Sequence, residues 1–545
     1  MSLSPGRLRV LCMNRTSRPA RQLRRRAPLV GTVSLLLLAA FGPPAQAGSV
    51  GLSSVNGAAV PNYPVAGDLV ESGEHFGAAL AVGDFNGDLI DDLATGIPFD
   101  DGVADIEQNI GAVIVQFGAV GIGLALPAES LLLSQEIGPD LSIDNERFGA
   151  ALAVGDFNHD FIDDLAVGVP GNVVGGLAIG GVQVYYGSTS PEVFDGGTLL
   201  TIGGAAGDSI GAALATGDFN EDNFDDLAVG IPGQASSAGA VFVIYGSAAG
   251  LTSGGQLLQQ NNPDIEDVGE ANDKFGFALA AGDFNANGKS DLVVGIPNEN
   301  GSGAIQIFFG TTAANGLDLV NDTFWTQNSV AGTSEPNDKF GFALATGDFD
   351  DDGRSDLAIG SPGETLGLSN EITDSGSVAV LYGTPGGVSF DLARTQAWSQ
   401  GGVFGLETAE AGDRFGESLA VGDFNGDGHH DLMVGHPQED LSGTNNGAVT
   451  VLLGGVSAFS ASRSRVLAAG VEGLPGTAQS HSNYGQAAAS GDFDWDWKSD
   501  LVIGAPFYDA SLLLPDSGMQ FVIYGCTFCD GFEDQGNTYW SAATP

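Results

Sequence analysis

The sequence predicts an all-β fold, a seven-bladed β-propeller of four-stranded antiparallel blades, and three observations carry that prediction. One phrase of about two dozen residues occurs seven times, and each copy reads as short strands broken by turns. The chain also holds 84 glycines in 545 residues, about twice the ordinary share, with no three-residue period. At 43% hydrophobic it is too apolar to be disordered, and its 3 cysteines are too few for a disulfide scaffold.

The phrase begins at His75 as HFGAALAVGDFNGDLIDDLATGIP and returns from Arg147, Ser209, Lys274, Lys339, Arg414 and Asn483. The first Asp of its acidic loop falls at 84, 156, 218, 283, 348, 423 and 492, so the repeat length is 62 to 75 residues. In the first unit, strands are predicted over 78–82, 93–97 and 112–117, with the acidic loop between the first two. The third strand recurs at 182–186 and 240–245, each followed by Gly, and linking stretches such as 198–202 can supply a fourth, outer strand. Four strands per unit of this length fit a propeller blade. Little chain follows Tyr524, so residues 50–60 are expected to pair onto the last blade, closing the ring and covering an edge. An open calcium-binding β-solenoid would need a nine-residue glycine repeat, which the sequence lacks.

Three segments result. Residues 1–47 read as a secretory signal peptide: an Arg-rich stretch, an apolar run over 29–41, Pro43-Pro44 and the small-residue site Ala45-Gln46-Ala47. Residues 48–525 form the propeller, and 526–545 a short tail with Cys526-Thr-Phe-Cys529, where a disulfide is expected in an oxidising compartment. The leader holds eight of the 18 basic residues and no acid, which leaves the rest with 10 basic and 68 acidic residues, a net of −58. Such a surface repels nucleic acid and anionic lipid unless cations bridge it.

Cations are therefore the expected small partners, and the acidic loops are where they fit. Oxygen-bearing side chains stand at loop positions 1, 3, 5 and 9, with the position-7 carbonyl as a further donor. A hard cation takes six to eight such oxygens, so calcium is the natural occupant. The candidate ligands in the first three loops are Asp84, Asn86, Asp88, Ile90 and Asp92; Asp156, Asn158, Asp160, Ile162 and Asp164; and Asp218, Asn220, Asp222, Phe224 and Asp226. In the fourth and fifth they are Asp283, Asn285, Asn287, Lys289 and Asp291, and Asp348, Asp350, Asp352, Arg354 and Asp356. The last two loops offer Asp423, Asn425, Asp427, His429 and Asp431, and Asp492, Asp494, Asp496, Lys498 and Asp500. An EF-hand is excluded because position 12 is aliphatic or Thr95, never Glu. Carboxylate number ranks the fifth and seventh loops highest, with four each, and the fourth lowest, with two. Position 6 is Gly288, Gly353 or Gly428 in three loops but Leu89, Phe161, Asn223 or Trp497 in the others.

Phe-Gly, then Gly-Asp-Phe-Asn-x-Asp, then Asp-Leu-x-x-Gly-x-Pro resembles the FG-GAP repeat of integrin α-subunit propellers and their bacterial relatives, over about residues 48–525. The resemblance implies a seven-bladed propeller with calcium in strand-connecting loops on one face, and a role in adhesion or extracellular recognition. Integrin chains carry such loops on a subset of blades, whereas this sequence has one in each.

Enzyme motifs are not found: the six His are scattered, with no His-Glu-x-x-His and no full phosphate-cradling Gly-x-x-x-x-Gly-Lys-Ser/Thr loop. The aromatics Trp325, Trp398, Trp495 and Trp497 are candidates for a sugar-binding surface or for packing. The expected protein is secreted, periplasmic or surface-held. It is a non-catalytic, calcium-binding module for an extracellular protein or glycan, with a carbohydrate-binding propeller or a polysaccharide- or lipid-cleaving enzyme as the alternative.

Overall fold

The computed structural model describes residues 57–61 and 72–525, apart from short stretches of the connections between strands, the longest of them 135–143. The predicted leader, residues 50–56 and the tail with Cys526 and Cys529 lie outside the described residues. After strand β1 (Gly57–Pro61), the first blade contains β2 (Ala79–Gly83), β3 (Asp92–Ile97), β4 (Ala112–Gln116) and β7 (Leu131–Ser134), hydrogen-bonded in that order. A two-strand hairpin, β5 (Gly118–Ala119) and β6 (Gly123–Leu124), follows β4.

Six further four-stranded sheets repeat the pattern. Their first strands are Ala151–Gly155, Leu214–Gly217, Ala278–Gly282, Ala343–Gly347, Ser418–Gly422 and Ala487–Gly491. Each first strand lies against the next blade's first strand, and that of the seventh blade against β2. In the seventh blade the fourth strand is β1, antiparallel to Met519–Ile523, with Gly57 opposite Ile523 and Pro61 opposite Met519. The outer strand of blade two spans Phe194–Leu200, earlier than the predicted 198–202, because it pairs from Gly187 to Val182 of the third strand across a bulge.

The repeated phrase explains the packing between blades. Its Phe-Gly aromatic or aliphatic residue, Phe76, Phe148, Ile210, Phe275, Phe340, Phe415 or Tyr484, is buried, as is the Phe that follows the first loop Asp. Those Phe side chains fill the space between neighbouring sheets: Phe85 meets Phe194 of the next blade with ring centroids 5.5 Å apart. Burial of one such side chain stabilises by about 1.5–3 kcal/mol.

The two phrase glycines meet across each blade boundary. A Cβ on Gly96 would lie 2.1 Å from the Gly149 carbonyl oxygen, and the same clash recurs from Gly168 to Gly211 and, around the ring, from Gly504 to Gly77. Gly149 itself has φ +86°, a backbone region open to glycine. The Gly in Phe-Gly and the Gly in Gly-x-Pro therefore let adjacent blades approach to backbone contact. Gly96→Ala is expected to destabilise by about 1–3 kcal/mol through overpacking. Gly203→Ala, which meets nothing within 4 Å, should stay within about 0.5 kcal/mol. Urea unfolding of the two variants checks the difference.

Candidate metal centre

All seven acidic loops join the first strand of a blade to the second, so they share one end of the ring. Each is folded by its own carboxylates. The position-1 Asp accepts the N–H groups of positions 5 and 6, one on each oxygen, at 2.8–3.1 Å in every loop. The position-5 Asp or Asn accepts the position-7 N–H at 2.9–3.1 Å, from Ile90, Ile162, Phe224, Lys289, Arg354, His429 and Lys498. These bonds fold each loop back on its own alternate side chains, which is why the sequence alternates acid and non-acid.

The position-9 Asp has a different task from the other three. Asp92, Asp164, Asp226, Asp291, Asp356, Asp431 and Asp500 are all fully buried. Each takes the N–H of the loop Phe on one oxygen and, on the other, the N–H of the Gly that ends the third strand, at 2.7–3.1 Å. Burial, reinforced by the neighbouring loop carboxylates, pushes Asp92, Asp164, Asp226, Asp356 and Asp500 up to about 8 and Asp291 to about 7, and raises Asp431 well above the carboxylate range. Burial likewise raises Asp492 at position 1 to about 6.

Position 8, which the sequence reading passed over, ties each loop to its neighbour. Its N–H donates to the position-1 carbonyl of the preceding blade at 3.0–3.3 Å around the whole ring, including Asp91 to Asp492. In return the position-1 N–H of six loops donates to a position-8 side chain: Asp163, Asp225, Ser355, His430 Nδ1, Ser499 or Asp91, at 2.9–3.1 Å. The available signal was that Asp, Ser and His at position 8 are all acceptors.

Carboxylates converge most closely where the sequence counted most of them. Asp348, Asp350 and Asp356 bring oxygens within 4.8 Å of one another, and so do Asp492, Asp494 and Asp496. The fifth loop, however, has cations of its own. Arg394 pairs with Asp350 at 2.5 Å, and Arg354 pairs with Asp352. Four carboxylates there are offset by two guanidinium groups, which spacing along the loop could not reveal because Arg394 arrives from the blade's outer connection. In the fourth and sixth loops Asn285 and Asn425 turn their amide N–H groups toward Asp291 and Asp431, at 3.2 and 3.4 Å, and present a donor at position 3. The remaining side chains at positions 1, 3, 5 and 9 offer oxygen, the chemistry of a hard cation. A further trio, Glu270, Asp273 and Glu299, converges within 4.8 Å at the opposite end of blade four.

The remaining candidates are placed as follows. Trp398 is buried and Trp325 packs against the buried cluster around Phe284 and Phe390, whereas Trp495 and Trp497 are exposed. His436 is buried between Gln400 and Thr450, and His75 packs edge-on against Phe99 and tilted against Phe507.

A ring of seven four-stranded blades with an acid-folded loop at one end of each defines a β-propeller of repeated loop-bearing blades. The model of the FG-GAP repeat matches residues 148–185, 210–244, 275–308, 340–381 and 415–452, which are blades two to six. Blades two to six carry FG-GAP repeats, and the first and seventh blades, outside those matches, carry the same loop hydrogen bonds. It is 30% identical over 294 residues to integrin alpha pat-2 of Caenorhabditis briggsae, covering 52% of this chain and 21% of that one. Against the phosphatidylinositol-glycan-specific phospholipase D of Homo sapiens it is 28% identical over 394 residues, 67% of this chain and 44% of that one. The chain thus spans less than half the length of these relatives.

Two outcomes are expected. Asp163→Ala strands the Asp84 N–H and should cost about 1–3 kcal/mol, whereas Asp163→Ser should keep much of the stability, since Ser355 and Ser499 do the same work in other blades; denaturant midpoints separate them. An acid raised on folding holds its proton where the unfolded chain, with an Asp pKa near about 3.9, has released it. Metal-free stability should therefore fall as pH climbs from about 4 to about 8. Thermal melts in chelator across that range check the slope.

Proposed function

We propose that the loops hold calcium and that the propeller is an exported binding or adhesion module whose recognition surfaces are fixed by that metal. The observation that supports this reading is the loop geometry repeated in seven blades: two to four carboxylates gathered in each loop, the position-9 Asp buried in every one, and oxygen the prevailing donor type. Position 1, 3 and 5 side chains, the carbonyls of Ile90, Ile162, Phe224, Lys289, Arg354, His429 and Lys498, and the position-9 Asp would hold the ion. Each carboxylate oxygen that accepts an N–H keeps a lone pair for it. Bound calcium neutralises the charge that burial otherwise keeps protonated, and the chain's own residues do the rest: they set the loop and brace it against both neighbours.

A second reading draws on the phospholipase D likeness, in which the propeller takes part in lipid-cleaving chemistry. Release of product from a glycosylphosphatidylinositol substrate by the purified chain would favour it over the adhesion reading.

Calcium binding to the folded state adds about 2.7 kcal/mol per site at a hundredfold excess over Kd. Chelation is expected to lower the melting temperature sharply, calcium to restore it, and magnesium to do so poorly, because it demands a smaller octahedral cage. Asp492→Ala with Asp496→Ala should remove more of the calcium-dependent shift than Asp283→Ala with Asp291→Ala. Equal melting temperatures in calcium and chelator would make the loops ordinary acidic turns.

A further inference from the structure

One sector of the loop face gathers five exposed apolar side chains on a strongly acidic molecule. The β5–β6 hairpin lies against the seventh loop: Ala119 N–H donates to Phe493 O at 3.0 Å and Gly121 N–H to Asp494 O at 2.7 Å. On its other side the hairpin abuts the first loop, where a Cβ on Gly118 would meet Asp91 O at 2.3 Å and Ile90 Cγ2 at 2.6 Å. The hairpin, the seventh loop and the first loop are thus one continuous surface, and their tips carry Val120, Ile122, Trp495, Trp497 and Leu89, exposed by 60, 77, 39, 50 and 50%. The two indoles stack, with centroids 5.9 Å apart and planes 29° from parallel.

These side chains are held there against the backbone's preference. Leu89, Trp495 and Trp497 have φ of +76°, +64° and +75°. The equivalents of Leu89 and Trp497 in blades four to six are Gly288, Gly353 and Gly428, which take that conformation freely. Bulky residues kept in left-handed conformation with 39–50% of their surface in water are held there at a conformational cost, and such outliers concentrate at functional sites. The turn equivalent to 119–123 in blade three, Ser247-Ala248-Ala249-Gly250, carries no large side chain.

We propose that this sector is a membrane-contact surface, on which Val120, Ile122, Trp495, Trp497 and Leu89 enter the interfacial layer of a lipid bilayer. The shape favours a bilayer: the apolar groups stand on a hairpin turn and loop tips, and a bilayer receives protruding side chains without a matching cavity. Tryptophan settles at that boundary, its ring apolar and its N–H wet. A second copy of the chain is disfavoured by a net charge of −50 on each. Charge adds the condition. Asp492, Asp494 and Asp496 lie in the same loop as the tryptophans and repel lipid phosphate when bare, so anionic membranes are engaged only with cations bridging the two. That condition rests on the calcium reading; the apolar surface does not.

Flotation of the full chain with vesicles of phosphatidylcholine, or of equal parts phosphatidylcholine and phosphatidylserine, tests it in calcium and in chelator, beside melting curves. The mixed vesicles are expected to carry the protein up in calcium, with tryptophan emission quenched by bromine-labelled acyl chains. Val120→Asp with Ile122→Asp should weaken association more than about tenfold. So should Trp497→Gly, whose melting temperature should hold or rise because glycine suits that φ. Association of these variants at the original level overturns the proposal, as does failure of all vesicles to bind a protein whose melting temperature calcium raises. A chain ending at residue 525 that binds where the full chain does not identifies the tail as the occupant and also overturns it. A melting temperature indifferent to calcium, with vesicle binding that persists in chelator, sinks the metal reading and upholds the surface.

Discussion

Everything in this propeller hangs on one buried carboxylate per blade. The Asp that opens the second strand holds the loop with one oxygen and the end of the third strand with the other. It joins three strands at the point where the chain would otherwise leave backbone N–H groups without partners. A carboxylate placed so deeply is costly unless hydrogen-bonded, and each bond it accepts repays part of that cost. With this anchor set, the loop's remaining acids have fixed backbone beneath them, the Phe beside the anchor is directed between sheets, and neighbouring loops come close enough to bond.

The fold was legible because the repeat states its packing rules seven times. Buried aromatics, glycines at blade boundaries and Pro after the second strand each have one physical reason to recur at one spacing. The site was legible only in part. Alternation of acids shows which side chains can face a centre, as it does for Asp84, Asn86 and Asp88. It says nothing of what reaches that centre from elsewhere, and Arg394 comes from 46 residues beyond Asp348, on the blade's outer connection. The division of labour between position 9 and the others was also hidden. An Asp that braces the third strand and an Asp that belongs to the loop alone are the same letter, and only the third strand's return to Gly118 or Gly246 tells them apart. The tie at position 8 was not legible because Asp163, Ser355 and His430 share no name, although they share an acceptor.

The blades differ where the motif tolerates difference. Blades four to six keep Gly at the sixth loop position. Blades seven and one replace it with Trp497 and Leu89 and gain the adjoining hairpin. Since the loop hydrogen bonds are the same in both groups, the scaffold is indifferent to the exchange. The ring therefore separates two demands: uniform bonding near the axis of each loop, and a freely varied outline at its tip.

The pairing of β1 with Met519–Ile523 also decides how the molecule bears load. The pair is antiparallel with Gly57 opposite Ile523, so the chain enters and leaves the seventh blade at the same end of one two-strand ribbon. Tension applied to the chain on either side of the ring acts across that ribbon, and the backbone bonds from Gly57↔Ile523 to Pro61↔Met519 yield one after another rather than all at once. A strand pair sheared along its length shares the force among all its bonds; one peeled from its end does not. Stretched between its two ends, this propeller gives way first at its own clasp, and the other six blades, each made from one continuous piece of chain, are spared until the ring is open.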